Sequence, residues 1–89
     1  MNTEVLSEKI PIGGIFQHYS GKKYRVLMIG RHSEDLQEHV VYQGLYDCPS
    51  FGKCPIWVRP LHMFLERVLV DGKATPRFTL IESPSDSEE

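Results

Sequence analysis

Tyr24-Arg25-Val26-Leu27-Met28-Ile29-Gly30, then Arg31-His32-Ser33-Glu34-Asp35, then Val40-Val41-Tyr42-Gln43-Gly44-Leu45-Tyr46, is the stretch that decides how this chain folds. Two runs rich in β-branched and aromatic residues flank a short polar segment, which is the pattern of two antiparallel strands joined by a loop. In the first run Tyr24, Val26 and Met28 share one face while Arg25, Leu27, Ile29 and Arg31 share the other. Both faces therefore read as largely apolar, as in a strand packed on two sides. The second run, roughly His39 to Tyr46, sets Val40, Tyr42, Gly44 and Tyr46 opposite Val41, Gln43 and Leu45. A glycine inside it, Gly44, predicts a bulge or sharp bend.

Upstream of this hairpin, Ile15-Phe16-Gln17-His18-Tyr19 reads as a first strand and Ser20-Gly21-Lys22 as a tight turn. Residues 1–12, interrupted by Pro11, read as a flexible arm. Downstream, Asp47 to Pro55 is a loop rich in Pro, Gly, Ser and Cys. Ile56-Trp57-Val58-Arg59 is a fourth strand with Trp57 and Arg59 on one face, and Pro60 opens a helical turn over residues 60–65. Val68-Leu69-Val70 followed by Asp71-Gly72 gives a hairpin signal, and Arg77-Phe78-Thr79-Leu80-Ile81 a last strand. Residues 82–89 lack apolar side chains to bury and read as a disordered acidic tail. The expectation is a mainly β domain over residues 13–81: a small five- to six-stranded bent sheet or SH3-like barrel with one short helical turn, with a small α+β fold as the alternative.

Composition narrows the functional classes. At 89 residues the chain makes one domain, and a domain of this size buries only ~60–65% of its unfolded surface, which favours a shallow site over a deep catalytic cavity. The longest apolar runs fall far below the ~20 residues of a membrane span, and Glu4 and Glu8 stand where a signal peptide would be basic and then apolar. The expected setting is the cytoplasm, with no membrane association. The net charge of -2 divides unevenly: residues 1–81 hold ten bases against eight acids, while the last eight residues hold four acids and no base. That balance excludes a strongly basic duplex-DNA binder and leaves room for a local basic patch.

Three groups of residues carry chemistry. Arg31, His32, Ser33 and Glu34 place a guanidinium, an imidazole, a hydroxyl and a carboxylate side by side. Neighbours in an extended chain point to opposite faces, however, so His32 and Ser33 need a turn between them to act as base and nucleophile. The structural reading has Ser33 capping the turn while Arg31 and Glu34 pair. Trp57, Arg59 and His62, with Tyr19, Tyr42, Tyr46 and Arg77 brought near in a closed sheet, form a second group, because aromatic faces interleaved with Arg stack bases and grip phosphate. The structural alternative makes the same aromatics core. Cys48 and Cys54, with any of His18, His32, His39 and His62, are candidate metal ligands, but five residues separate the two cysteines and there is no second pair, which is not the common zinc spacing, so no metal and no cofactor is expected.

The motifs taken together, Gly14-Ile-Phe-Gln-His18-Tyr19-Ser-Gly21, Arg31-His-Ser-Glu34, Val40-Val-Tyr42, Trp57-Val-Arg-Pro60 with Met63-Phe64, and Pro76-Arg-Phe78, resemble a compact bacterial domain family of unknown function over about residues 13–81. Its usual pattern runs H-Y-K-G, R-H-S-E, V-V-Y, W-V-R-P, M-F and P-R-F. Ser20 stands where the family has Lys. The resemblance implies a stand-alone bacterial domain and brings no activity with it.

The leading expectation is a small binding module that recognises an anionic small molecule, single-stranded nucleic acid or a protein segment. Arg31, Arg59 and Arg77 would contact the anion, Tyr42 and Trp57 would stack, and His32, Ser33 and Glu34 would hydrogen-bond. One alternative is a hydrolase using His32 with Glu34 or His62. Another is a structural homo-oligomeric subunit, such as a homodimer joined through an exposed sheet edge.

Overall fold

The central hairpin forms from β2 (Lys23–Arg31) and β3 (Glu38–Gly44) in the computed structural model of the chain, which describes residues 6–84. Around it stand β1 (Ile15–His18), β6 (Ile56–Pro60) and β9 (Phe78–Glu82), giving one antiparallel sheet in the order β6-β3-β2-β1-β9. The Asp47 to Pro55 segment, expected as loop, contains a small hairpin of β4 (Asp47–Cys48) and β5 (Gly52–Lys53). The Asp71-Gly72 turn joins β7 (Arg67–Val70) to β8 (Lys73–Pro76), with both turn residues at positive φ. Sequence reading missed β8 as a strand of its own. Between β6 and β7 lies α1 (Leu61–Phe64), the expected helical turn.

The fold is mainly β, and the bent sheet is the form it takes. No closed barrel exists among the described residues, since β6 and β9 are the two edges of the sheet and do not pair. The sheet nonetheless curls until side chains from the two halves meet. Strands β3 and β9 stand three positions apart, about 14 Å in a flat sheet, yet the Tyr42 and Phe78 ring centroids are 5.5 Å apart. Arg59 of one edge lies over Phe78 of the other, 5.8 Å from its centroid. The edges approach through side chains instead of backbone hydrogen bonds.

A bulge explains why β2 read as apolar on both faces. The register with β3 slips between Val26, opposite Tyr42, and Met28, opposite Val41. An extra residue reverses the alternation. Tyr24 and Val26 point into the core before the slip; beyond it Ile29 packs against the core and Met28 is 55% exposed. Met28, Val41 and Val58 are consecutive cross-strand neighbours, so an apolar row runs along the outer face and ends at the 62% exposed Val58.

The core joins Phe16, Tyr24, Val26, Val40, Tyr42 and Phe78 of the sheet to Leu61 and Phe64 of α1 and to Ile10. Phe64 is fully buried and stacks on Phe78 with centroids 4.2 Å apart and planes 5° from parallel. Ile10 corrects the expected arm: residues 6–12 include a 3₁₀ turn (Leu6–Lys9), and Ile10 is only 2% exposed because it covers the same core as α1. The tail expectation is likewise shortened, since Glu82 is the last residue of β9. Residues 1–5 of the arm and 85–89 of the tail lie outside the described residues.

With so few core residues, loss of one ring has a large effect. Phe64→Ala should lower the unfolding free energy by about 3–5 kcal/mol and leave a domain this small largely unfolded near 37 °C, while Phe64→Leu should cost about half as much; urea melts of the two variants measure both.

Candidate functional site

The polar groups of the β2–β3 connection serve the loop itself. His32 N-H donates to Gln37 O at 2.8 Å, and Leu36 N-H to His32 O at 2.8 Å. The Arg31 guanidinium donates to Leu36 O at 2.7 Å and lies 3.9 Å from the Glu38 carboxylate. Arg31 thus pairs with Glu38, its cross-strand neighbour, and the expected Arg31 and Glu34 pair does not form. Ser33 Oγ donates to Glu34 Oε2 at 2.9 Å, so the serine hydroxyl is held by a carboxylate and not by His32. His32 Nδ1 accepts the Glu34 and Asp35 N-H groups at 3.1 and 3.4 Å, and its ring contacts Asp35 and His39. The His32 ring is occupied in shaping the turn, whereas the expected cap by Ser33 does not form among the described residues, its hydroxyl being bonded to Glu34. His62 shares a shallow depression with Arg31, Leu36 and Leu61.

The second group assembles more fully. Trp57 opposes Tyr42 across β6 and β3, and Phe16 opposes Tyr24 across β1 and β2, so alternation sends Trp57, Arg59, Tyr42, Tyr24 and His18 to the concave face. That face is covered by α1 at one end only. At the other it forms a hollow of about 200 Å³ lined by His18, Tyr24, Tyr42, Tyr46, Trp57, Arg59 and Phe78. Tyr46 reaches it because Gly44 has no side chain: a Cβ there would fall 2.5 Å from the Tyr46 ring. Of the bulge or sharp bend expected at Gly44, the bulge is absent, since its pairing with Tyr24 is regular, and the chain bends just after it at Leu45 and Tyr46; close approach of the ring is what requires glycine. Phe51, from the turn between β4 and β5, sets its ring against Trp57 at 5.4 Å.

Hydrogen bonds tie the lining together. Arg59 Nε-H donates to the Tyr42 hydroxyl at 3.1 Å, Trp57 Nε1-H donates to the Tyr46 hydroxyl at 3.2 Å, and the Tyr24 and Tyr46 hydroxyls are 3.1 Å apart. Burial, followed by the bond to Tyr46, pushes the Tyr24 phenol well above its ordinary range, so it stays protonated. Cations gather at the rim. Lys22 Nζ lies 4.9 Å from the Tyr46 ring centroid, and Arg77 donates to Glu66 Oε1 at 3.1 Å while its Nε is buried without a hydrogen-bond partner among the described residues. Among the described residues Arg59 has no carboxylate partner. His18 Nδ1 accepts the Ser20 N-H at 3.1 Å. Its pKa is lowered by burial first and then by the Arg59 and Arg77 charges, so the ring is neutral near pH 7 with its proton on Nε2.

The expected single surface is therefore two separate places. Arg31, His32, Ser33 and Glu34 sit at the hairpin tip, while Tyr42, Trp57 and Arg59 line the hollow and Arg77 stands close enough to act on His18. Tyr42 is four residues along β3 from Glu38, about 13 Å, and is only 4% exposed. Its ring stands roughly perpendicular to those of Tyr24, Phe64 and Phe78 and is buried among them, so it offers a hydroxyl to the hollow and no free face for stacking. Tyr46 was expected beside Trp57 and Arg59, whereas His18, Tyr24 and Phe78 were absent from the expected site. Period-two alternation from Phe16 to His18 was the available signal for the histidine. Cys48 and Cys54 are free thiols, and among the described residues no cluster of three or more His, Cys, Asp or Glu side chains converges to hold a metal.

A family model, described as a protein of unknown function (DUF1653), matches residues 14–80. The chain belongs to the DUF1653 family. A crystal structure of a DUF1653 protein from Bordetella bronchiseptica is similar at 28% sequence identity, with a TM-score of 0.70, covering 84% of this chain and 92% of that one. Among curated proteins nothing matches. The DUF1653 span contains the hairpin tip and every residue lining the hollow. Among the described residues no helix is long and apolar enough to cross a membrane.

The lowered His18 pKa has a testable sign. Its stabilising effect is present in full above the ordinary value of 6.5, declines as pH falls through that value, and levels off once the folded ring is itself protonated. Stability measured by urea melts should fall across this window, and His18→Gln should flatten that part of the profile.

Proposed function

We propose that this DUF1653 domain is a small binding module whose concave hollow takes an anionic ligand. The observation that carries the reading is Arg59: a guanidinium at an aromatic-lined hollow, fixed through its Nε by Tyr42, with no carboxylate partner among the described residues. Structural arginines are ordinarily neutralised by a carboxylate, as Arg77 is by Glu66. The neighbouring cation Lys22, over the Tyr46 ring, adds to the same positive field.

Size and shape favour a small anion over the other ligand classes. Pockets for drug-sized ligands run to about 300 Å³ or more, and this one is about 200 Å³. Stacking of nucleic-acid bases needs free ring faces, whereas Tyr42 is buried and one face of Phe78 is stacked on Phe64. A hydrolase reading through His32 draws little support, because the ring accepts backbone N-H groups and Ser33 is bonded to Glu34.

Amide NMR titrations with inorganic phosphate, adenosine monophosphate, benzoate and a short single-stranded RNA test the reading. Salt-sensitive shifts should centre on His18, Tyr46, Trp57 and Arg59 for the small anions. Arg59→Ala should weaken binding about tenfold or more, and Arg31→Ala should leave it unchanged. Shifts centred on residues 31–38, or none with any probe, would contradict the proposal.

A further inference from the structure

The hydrogen-bond inventory of the hollow narrows what kind of anion it takes. A hydroxyl has one proton to donate and two lone pairs to accept with. The Tyr42 oxygen accepts from Arg59, and its own proton has no acceptor among the described residues. In the Tyr24 and Tyr46 pair only one hydroxyl can donate to the other, and Tyr46 also accepts from Trp57, so one phenolic proton of the pair is likewise left over. Both Arg59 Nη groups, which carry N-H donors only, have no partner among the described residues. His18 accepts through Nδ1 and so directs an N-H from Nε2. Among the described residues no carboxylate or amide side chain lines the hollow to receive any of these protons.

A wall with surplus donors complements a group that only accepts. Resting on the binding-module reading, we infer that the hollow is an oxyanion site: it takes a phosphate-like or carboxylate head group between the Arg59 Nη donors and the phenolic protons of Tyr42 and the Tyr24 and Tyr46 pair, with occupancy coupled to protonation of His18. The coupling follows from the charges around that ring. Arg59 faces it from β6, Arg77 from the segment before β9, Tyr24 from β2 and Tyr19 from the end of its own strand, and the acidic group nearby, Glu66, is bonded to Arg77. An oxyanion placed against Arg59 screens the cations that oppose His18 protonation. By reciprocity, a protonated His18 binds that oxyanion more tightly.

The test follows the His18 imidazole by NMR against pH in sulfate, in benzoate and, at matched ionic strength, in chloride. Sulfate supplies a tetrahedral head group and benzoate a planar carboxylate, and the tetrahedral anion is fully ionised across the titration. The preferred head group should raise the His18 pKa above its chloride value. It should also bind more tightly near pH 5.5 than near pH 7.5, by up to about tenfold where it raises that pKa by one. Tyr42→Phe keeps the ring in the core and removes one donor, and should weaken that anion about tenfold. Arg59→Lys keeps the charge without the paired Nη donors, and should weaken it similarly. If either anion shifts the hollow amides while His18 titrates as in chloride and Tyr42→Phe binds as the parent does, the oxyanion inference falls and the binding module stands. Silence of the hollow amides in both anions overturns both.

Discussion

The ring of Phe78 is where the curled sheet meets itself. It stacks on Phe64 of α1, stands roughly perpendicular to the rings of Tyr24 and Tyr42 from the central hairpin, lies beside His18 on β1, and is covered by the guanidinium of Arg59 from the opposite edge strand. The contacts with Tyr24, Tyr42 and Arg59 reach across the sheet and that with Phe64 ties it to α1, so the bend of the whole sheet is fixed by a single packing centre. Aromatic pairs in edge and offset geometry add about 0.5–1.5 kcal/mol each beyond their buried area, and a domain whose total stability is a few times that depends on them.

Curling without closing has a functional consequence. A barrel sealed by β6 to β9 hydrogen bonds would fill its interior with side chains. Here α1 and Ile10 seal one end of the concave face, and the other end stays open as the hollow. The polar ends of side chains whose bodies form the core line that opening: Tyr24 and Tyr42 contribute rings to the core and hydroxyls to the hollow. Fold and site are therefore built from the same residues, which ties the placement of the donors to packing and not to loop conformation.

Much of this was legible in the sequence, for local reasons. The Tyr24 to Tyr46 hairpin, the Trp57 strand, the Pro60 turn and the Asp71-Gly72 hairpin announce themselves through alternation and turn chemistry within a few residues. What failed depended on distant pairing. The slip at Leu27 changes which face Met28 and Ile29 occupy, and no residue type marks it. Ile10 reads as one apolar residue in a polar arm because its partners are around fifty residues away in α1. The site was half visible: Trp57, Arg59 and Tyr42 stood out by type, whereas His18 and Tyr24 join them only through the register of β1 on β2 and the curl that brings β9 around. The Arg31 to Glu34 cluster attracted attention for its density of functional groups, yet density in a tight turn reflects the turn's own unsatisfied backbone.

The central claim, that surplus donors in this hollow await an oxyanion, is tested most directly by a crystal structure of the protein grown or soaked with sulfate and, separately, benzoate. The account predicts density for the anion in the hollow, with its oxygens within hydrogen-bond distance of Arg59 Nη and the Tyr42 hydroxyl. Ordered water alone in the hollow, or an anion seated instead on Arg31 at the hairpin tip, would contradict it.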